Sequence, residues 1–235
     1  MVSFLCFYAN IVCSGVQRGS IKYASCPGNP TEERLDELCG ITEMADALPT
    51  IPVMPLSYSN AEAIFNATAD SGGEEPPMSW TESGIEGGDI DIGYRLDASE
   101  DFFIELEVTT DLRTEDVTQN VYGYIKGEEF PDEIVMIGAH RDAWVCGAQD
   151  DVSGTGTILE VAKGFGELHR RGWRPKRTIV VASWDSEESG LIGSTNFGED
   201  VIAENATIGD LDLDADDIIA YVKFCTIWPL SSQIT

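Results

Sequence analysis

Arg177-Thr-Ile-Val-Val-Ala-Ser-Trp184 is an apolar run that ends directly on Asp185-Ser-Glu187-Glu188. Its length and β-branched content make it a buried-type strand closed by a polar turn. Upstream, Val121-Tyr-Gly-Tyr-Ile125 and Glu133-Ile-Val-Met-Ile-Gly-Ala139 are further β runs. Between the strands, residues 153–171 carry Ile158, Leu159, Val161, Ala162, Phe165 and Leu168 at the spacing of an amphipathic helix. Downstream, Gly190–Phe197 opens another helix, and Ile218-Ile-Ala-Tyr-Val222 is one more strand. Strands alternating with helices predict an α/β fold, a mostly parallel twisted sheet with flanking helices and right-handed crossovers. Chemistry in such sheets collects just past the carboxyl ends of the strands.

Three candidate groups fall at those ends. His140-Arg-Asp142 follows the strand ending at Ala139. Asp150 lies in the loop Cys146-Gly-Ala-Gln-Asp-Asp151 that leads into the helix. Glu187 and Glu188 follow the strand ending at Trp184. Taken singly, each has a plain structural explanation: a satisfied histidine, acids that favour a helix N-terminus, a solvated glutamate pair. Together, at strand ends of one sheet, they suit a metal centre. A histidine there binds through one ring nitrogen while a nearby carboxylate such as Asp142 orients the ring. Adjacent glutamates allow one carboxylate on the metal and one free to move a proton.

The chain has 235 residues, 14 basic and 42 acidic, for a net charge of -28. No nucleic-acid partner is expected, because phosphate binding requires a basic face. Between Ser71 and Val135 there are 18 acidic residues and three basic ones, Arg95, Arg113 and Lys126. A domain boundary is predicted in that stretch, near residue 115, dividing the chain into 1–114 and 115–235. In the first part, Leu48-Pro-Thr-Ile-Pro-Val-Met-Pro-Leu56 is extended, since each proline restricts its predecessor. A short helix is predicted through Ala61–Ala67, starting at Ser59 or Asn60, and residues 71–100 read as surface loops with short strands. The apolar opening Met1–Cys13 is too short to span a bilayer and lacks a signal peptide's basic start. Six cysteines form no CxxC pair and leave the redox compartment open. Asn66-Ala-Thr68 and Asn205-Ala-Thr207 fit the glycosylation sequon.

Gly138-Ala-His-Arg-Asp-Ala-Trp-Val-Cys-Gly-Ala-Gln-Asp150 and Trp173–Thr195 closely resemble the glutamate carboxypeptidase II and transferrin-receptor group of zinc peptidases. The resemblance is strong over 117–200. Over 15–58, Gly15-Val-Gln-Arg-Gly19 and Leu48-Pro-Thr-Ile-Pro-Val53 look like that family's protease-associated domain, which implies a partial β-rich domain before the catalytic one. The resemblance further implies a co-catalytic two-zinc exopeptidase of the carboxypeptidase type. In that picture His140 is a ligand of one zinc, Asp150 bridges both, Glu188 is a ligand of the second and Glu187 is the general base. A peptide substrate follows from the same likeness, as does a membrane-anchored protein with an extracytoplasmic catalytic domain, although no anchor is evident. Glu199 matches the family's structural calcium site, where Asn196 stands in place of an acid.

The match also has gaps. The family places a zinc-binding aspartate after the next strand, but Ile219-Ala-Tyr-Val222 continues into Lys-Phe-Cys225. Asp214, Asp216 and Asp217 precede that strand and fall at its wrong end. His169, beside Arg170 and Arg171, reads as a surface residue and not as the distal histidine ligand. The Asp210-Leu-Asp-Leu-Asp214 run lacks an EF-hand's turn glycine. The chain stops short of the family's helical dimerisation domain, through which full-length members form homodimers. The expectation is therefore half a site in a chain truncated at both ends, with a catalytically inactive receptor-like or fragmentary binding protein as the alternative.

Overall fold

The computed structural model describes residues 16, 19–22, 26–28, 34–69, 72–75, 77, 95–96, 103–109, 117–203 and 206–224. Met1–Cys13, Cys225 and the tail 226–235 lie outside them, as do Asn205 and the predicted boundary at 115. Most of the loop stretch 71–100 lies outside them too. Two compact units form, Met1–Arg18 with Thr50–Asp111 and Gly19–Pro49 with Leu112–Thr235.

In the first unit the described helix is α2, Tyr58–Ala69. It begins one residue before the earlier of the two predicted starts and is capped by Ser57: the buried Ser57 hydroxyl accepts the Asn60 backbone N–H at 3.1 Å. Thr68 closes the other end and takes the Arg95 N–H at 3.4 Å, while the Arg95 guanidinium reaches Glu75. Among the described residues before 117 the regular elements are helical, namely α1 (Leu35–Cys39), a 3-10 turn at Met44–Ala47 and α2.

The second unit is built on a four-stranded sheet. Its strands are β1 (Val121–Ile125), β2 (Phe130–His140), β3 (Arg177–Trp184) and β6 (Ile218–Lys223), in the order β1-β3-β2-β6. β2 runs parallel to both β3 and β6, and β1 pairs antiparallel with β3. The expected α/β architecture with a mostly parallel sheet is what forms. Helix α3 (Val152–Arg170) connects β2 to β3, and α4 (Ile192–Ile202) follows β3. From β2 the chain turns to one neighbour, β3, and later returns on the other side as β6. The carboxyl end of β2 is thus where strand order reverses, a natural ligand position in an open sheet.

One core cluster joins Ile134, Met136, Val180, Ala182 and Trp184 of the sheet to Val201 and Phe197 of α4. A hairpin that sequence patterning did not reveal, β4 (Ala206–Ile208) with β5 (Leu211–Leu213), completes it. The turn is Gly209-Asp210, with Gly209 at φ 64°, a conformation glycine adopts without steric cost. The hairpin explains the alternating Asp-Leu run: Leu211 and Leu213 are buried while Asp212 is exposed. Asp214 then caps the 3-10 turn Ala215–Asp217, holding these acids at the amino end of β6.

The segment around α1 forms a smaller core of Cys26, Leu35 and Ala47, tied by a Cys26–Cys39 disulfide. It docks on the sheet's unit: the Gly28 N–H donates to the Gly190 carbonyl at 2.7 Å. A Cβ on Gly28 would meet the Thr195 methyl at 2.6 Å, so only glycine permits this approach. No described helix is long and apolar enough to cross a membrane.

Candidate metal centre

The register of β2 and β3 sets the site. His140 pairs with Trp184, so the segment after Trp184 emerges beside the histidine. Gly138, two residues earlier, lies between Trp184 on β3 and Tyr221 on β6, whose side chains hydrogen-bond across it at 2.8 Å. A Cβ on Gly138 would come within 2.6 Å of both the Trp184 Nε1 and the Tyr221 hydroxyl. The glycine therefore lets three strands close around the end of β2.

His140 is 1% exposed. Its Nδ1 lies 2.9 Å from the Asp142 carbonyl oxygen. A carbonyl only accepts, so Nδ1 carries a proton and Nε2 is the nitrogen left to face the site. Around Nε2 stand Asp150 Oδ1 at 3.1 Å, Glu187 Oε2 at 3.8 Å and Asp151 Oδ2 at 4.0 Å. Ligand atoms of His140, Asp150 and Glu188 all lie within 4.8 Å of one another.

The neighbouring acids Asp150 and Asp151 divide two tasks. Asp151 is fully buried and caps α3, its carboxylate accepting the Gly154 N–H at 3.0 Å. Asp150 is 62% exposed in its side chain and turns toward the histidine. Thr155 donates its hydroxyl to the His140 carbonyl, which fixes the first turn of α3 against the end of β2.

Asp142 links the two halves of the site. Its backbone carbonyl orients the imidazole, and its carboxylate accepts the Glu187 and Glu188 backbone N–H groups at 3.0 Å each. The expected ring-orienting contact thus comes chiefly from the backbone, with Oδ1 at 3.6 Å from Nδ1. Between Trp184 and the glutamates, Ser186 takes a left-handed φ of 55°, a strained choice for a non-glycine residue. Asp185, accepting from Gln119, Ser186 and Arg141, holds the turn from the other side. Asp185 and Arg141 fall inside the quoted stretches, but nothing in the sequence assigned them this bracing, which depends on Gln119 reaching Asp185 across 66 positions.

Charge in the site is unbalanced toward the negative. Burial disfavours charging of His140, but the Glu187 carboxylate, the Asp142 carbonyl and the acids at 150 and 151 outweigh it, so the imidazole pKa is raised. Glu188 is also raised, first by burial and then by the Asp150 charge. One imidazole nitrogen and two carboxylate oxygens, in a place that binds protons to offset surplus negative charge, form a donor set suited to a divalent cation such as zinc.

Residues 120–224 match the model of peptidase family M28. They belong to that family. A glutamate carboxypeptidase 2 homolog of Caenorhabditis briggsae is 37% identical over 204 residues, taking in 83% of this chain and 26% of that protein. A probable glutamate carboxypeptidase of Zea mays is 34% identical, over 79% of this chain and 26% of that one. Aminopeptidase NAALADL1 of Rattus norvegicus is 36% identical, over 81% and 26%. The chain spans about a quarter of the length of these curated relatives. The M28 segment runs from just before β1 to the residue after β6 and so contains the whole described sheet.

Other expected positions take different surroundings. Glu199 on α4 pairs with Arg34 at 3.5 Å, so an arginine meets its charge, and among the described residues it joins no group of three metal-binding side chains. His169 is half-buried in the last turn of α3. That helix is 19 residues long, which puts His169 roughly 25 Å from the site end.

Proposed function

We propose that this chain carries the metal-binding part of a zinc-dependent exopeptidase of the carboxypeptidase type, acting on peptides. The observation that carries the proposal is the convergence of His140, Asp150 and Glu188 within 4.8 Å at the switch point of an M28 sheet. In the two-ion arrangement that the resemblance implies, His140 and Glu188 would each serve one ion and Asp150 both. A bound zinc would polarise a peptide carbonyl and acidify a water. Glu187 stands outside the ligand group, with its backbone fixed by Asp142 and its carboxylate near the site. In this proposal it would take a proton from the attacking water and return it to the departing amine. A preference for releasing glutamate is part of the proposal and is suggested by the relatives named glutamate carboxypeptidase.

The proposed division into a partial protease-associated domain over 1–114 and the N-terminal part of the catalytic domain over 115–235 rests on the change of composition. Gly19–Pro49, inside the proposed first domain, groups with the sheet in one compact unit.

A second reading, an inactive member that binds without hydrolysing, is favoured by one feature: Lys223 at the end of β6 lies 3.8 Å from Glu187. Zinc titration followed by hydrolysis assays on glutamate-ending and unblocked peptides separates the two. The enzyme reading expects zinc-dependent cleavage that Glu187→Gln abolishes while leaving zinc affinity within a few-fold. Zinc binding without cleavage supports the second reading. If zinc binding is unchanged in both His140→Ala and Glu188→Ala, neither holds.

A further inference from the structure

Lys223 closes β6, and its Cα is paired with Gly138 of β2. The Phe224 N–H donates to the Gly138 carbonyl at 2.8 Å, which fixes that register and sets the lysine beside the strand end that carries His140. The Lys223 ammonium lies 3.8 Å from Glu187 Oε1. The other oxygen of the same carboxylate lies 3.8 Å from His140 Nε2. Glu187 is thus shared between the imidazole and a fixed cation. Arg141, next to His140 in sequence, is engaged elsewhere, on the Ser183 and Gln119 carbonyls and on Asp185.

We propose that Lys223 is an internal counter-cation of the metal centre: its ammonium offsets Glu187 and lowers the affinity of His140, Asp150 and Glu188 for a divalent ion. The inference rests on the metal-binding reading above. The side chain is 41% exposed, so its ion pair contributes little to stability. Its charge still acts on any ion brought to the site. A positive charge repels a divalent ion twice as strongly as a monovalent one at equal distance. Across a partly hydrated gap, the lysine should weaken zinc binding on the order of three- to tenfold at low ionic strength.

Zinc affinity of the full chain, measured by chelator competition in roughly 20 mM and roughly 0.5 M salt, tests this. Lys223→Met should bind zinc about three- to tenfold more tightly than the parent at low salt. Most of that gain should vanish at high salt, and Lys223→Arg should bind as the parent does. Lys223→Gln, a second neutral variant, guards against a local packing effect of Met. Tighter binding in both neutral variants with rescue by arginine establishes the role, including the case in which only the neutral variants bind measurably. Unchanged or weaker binding in both neutral variants overturns it. If His140→Ala abolishes binding in that case, the metal reading survives and only the lysine's role is lost. Should neither parent nor variants bind zinc, both are lost.

Discussion

The Asp142 carboxylate accepts the Glu188 backbone N–H through Oδ2 at 3.0 Å, while its other oxygen holds the N–H of Glu187. One side chain from the β2 end thereby sets the position of the β3 end. Asp142→Ala removes both acceptors and leaves the left-handed Ser186 turn held from the Asp185 side alone. Zinc affinity should fall about 10- to 100-fold, the range for losing a group that orients metal ligands, and isothermal titration measures it. Asp142→Asn, which keeps one acceptor oxygen, should lose less.

Zinc binding should weaken as pH falls, beginning above the ordinary imidazole range. His140 and Glu188 both have raised pKa values, so protons compete with the metal at higher pH than they would at isolated groups. With a raised pKa each group binds more proton at a given pH, which lowers the apparent affinity for the metal. Each displaced proton makes the apparent affinity fall about tenfold per pH unit once the group is protonated. Titrations at several pH values between roughly 5 and 8 check the slope, which should flatten at the alkaline end.

Gly138→Ala should destabilise the M28 segment by about 1–3 kcal/mol, the usual cost of overpacking. The added Cβ would fall 2.6 Å from Trp184 Nε1 and 2.6 Å from the Tyr221 hydroxyl, so the hydrogen bond between them must open. Denaturant unfolding followed by tryptophan fluorescence reports the loss. A variant as stable as the parent would show that the strands close differently here.

Reducing the Cys26–Cys39 disulfide, or replacing both cysteines with serine, should cost about 3 kcal/mol from loop-closure entropy, since the bridge spans 13 positions. The effect should appear as a lower unfolding midpoint. It should leave zinc affinity within a few-fold, because the bridge lies in the core around Leu35 and not among the ligands.

Period and adjacency determined what the sequence alone made legible. Alternating strand and helix patterns imposed the α/β sheet. Adjacency put His140, Asp150 and the glutamate pair at strand ends, because a side chain that follows a strand in sequence also follows it in space. Relations between strands were not legible, since register is a long-range property. Only the fold brought Lys223 beside Glu187, laid the Trp184–Tyr221 bond across Gly138, and paired Cys26 with Cys39 among six cysteines. The Asp-Leu alternation at 210–214 was ambiguous for the same reason: it became a hairpin strand only where the sheet and α4 offered a core for Leu211 and Leu213. Asp150 and Asp151 show the limit most sharply. They are identical in chemistry and adjacent in sequence, and they were parted into a site residue and a buried helix cap by the path of one loop.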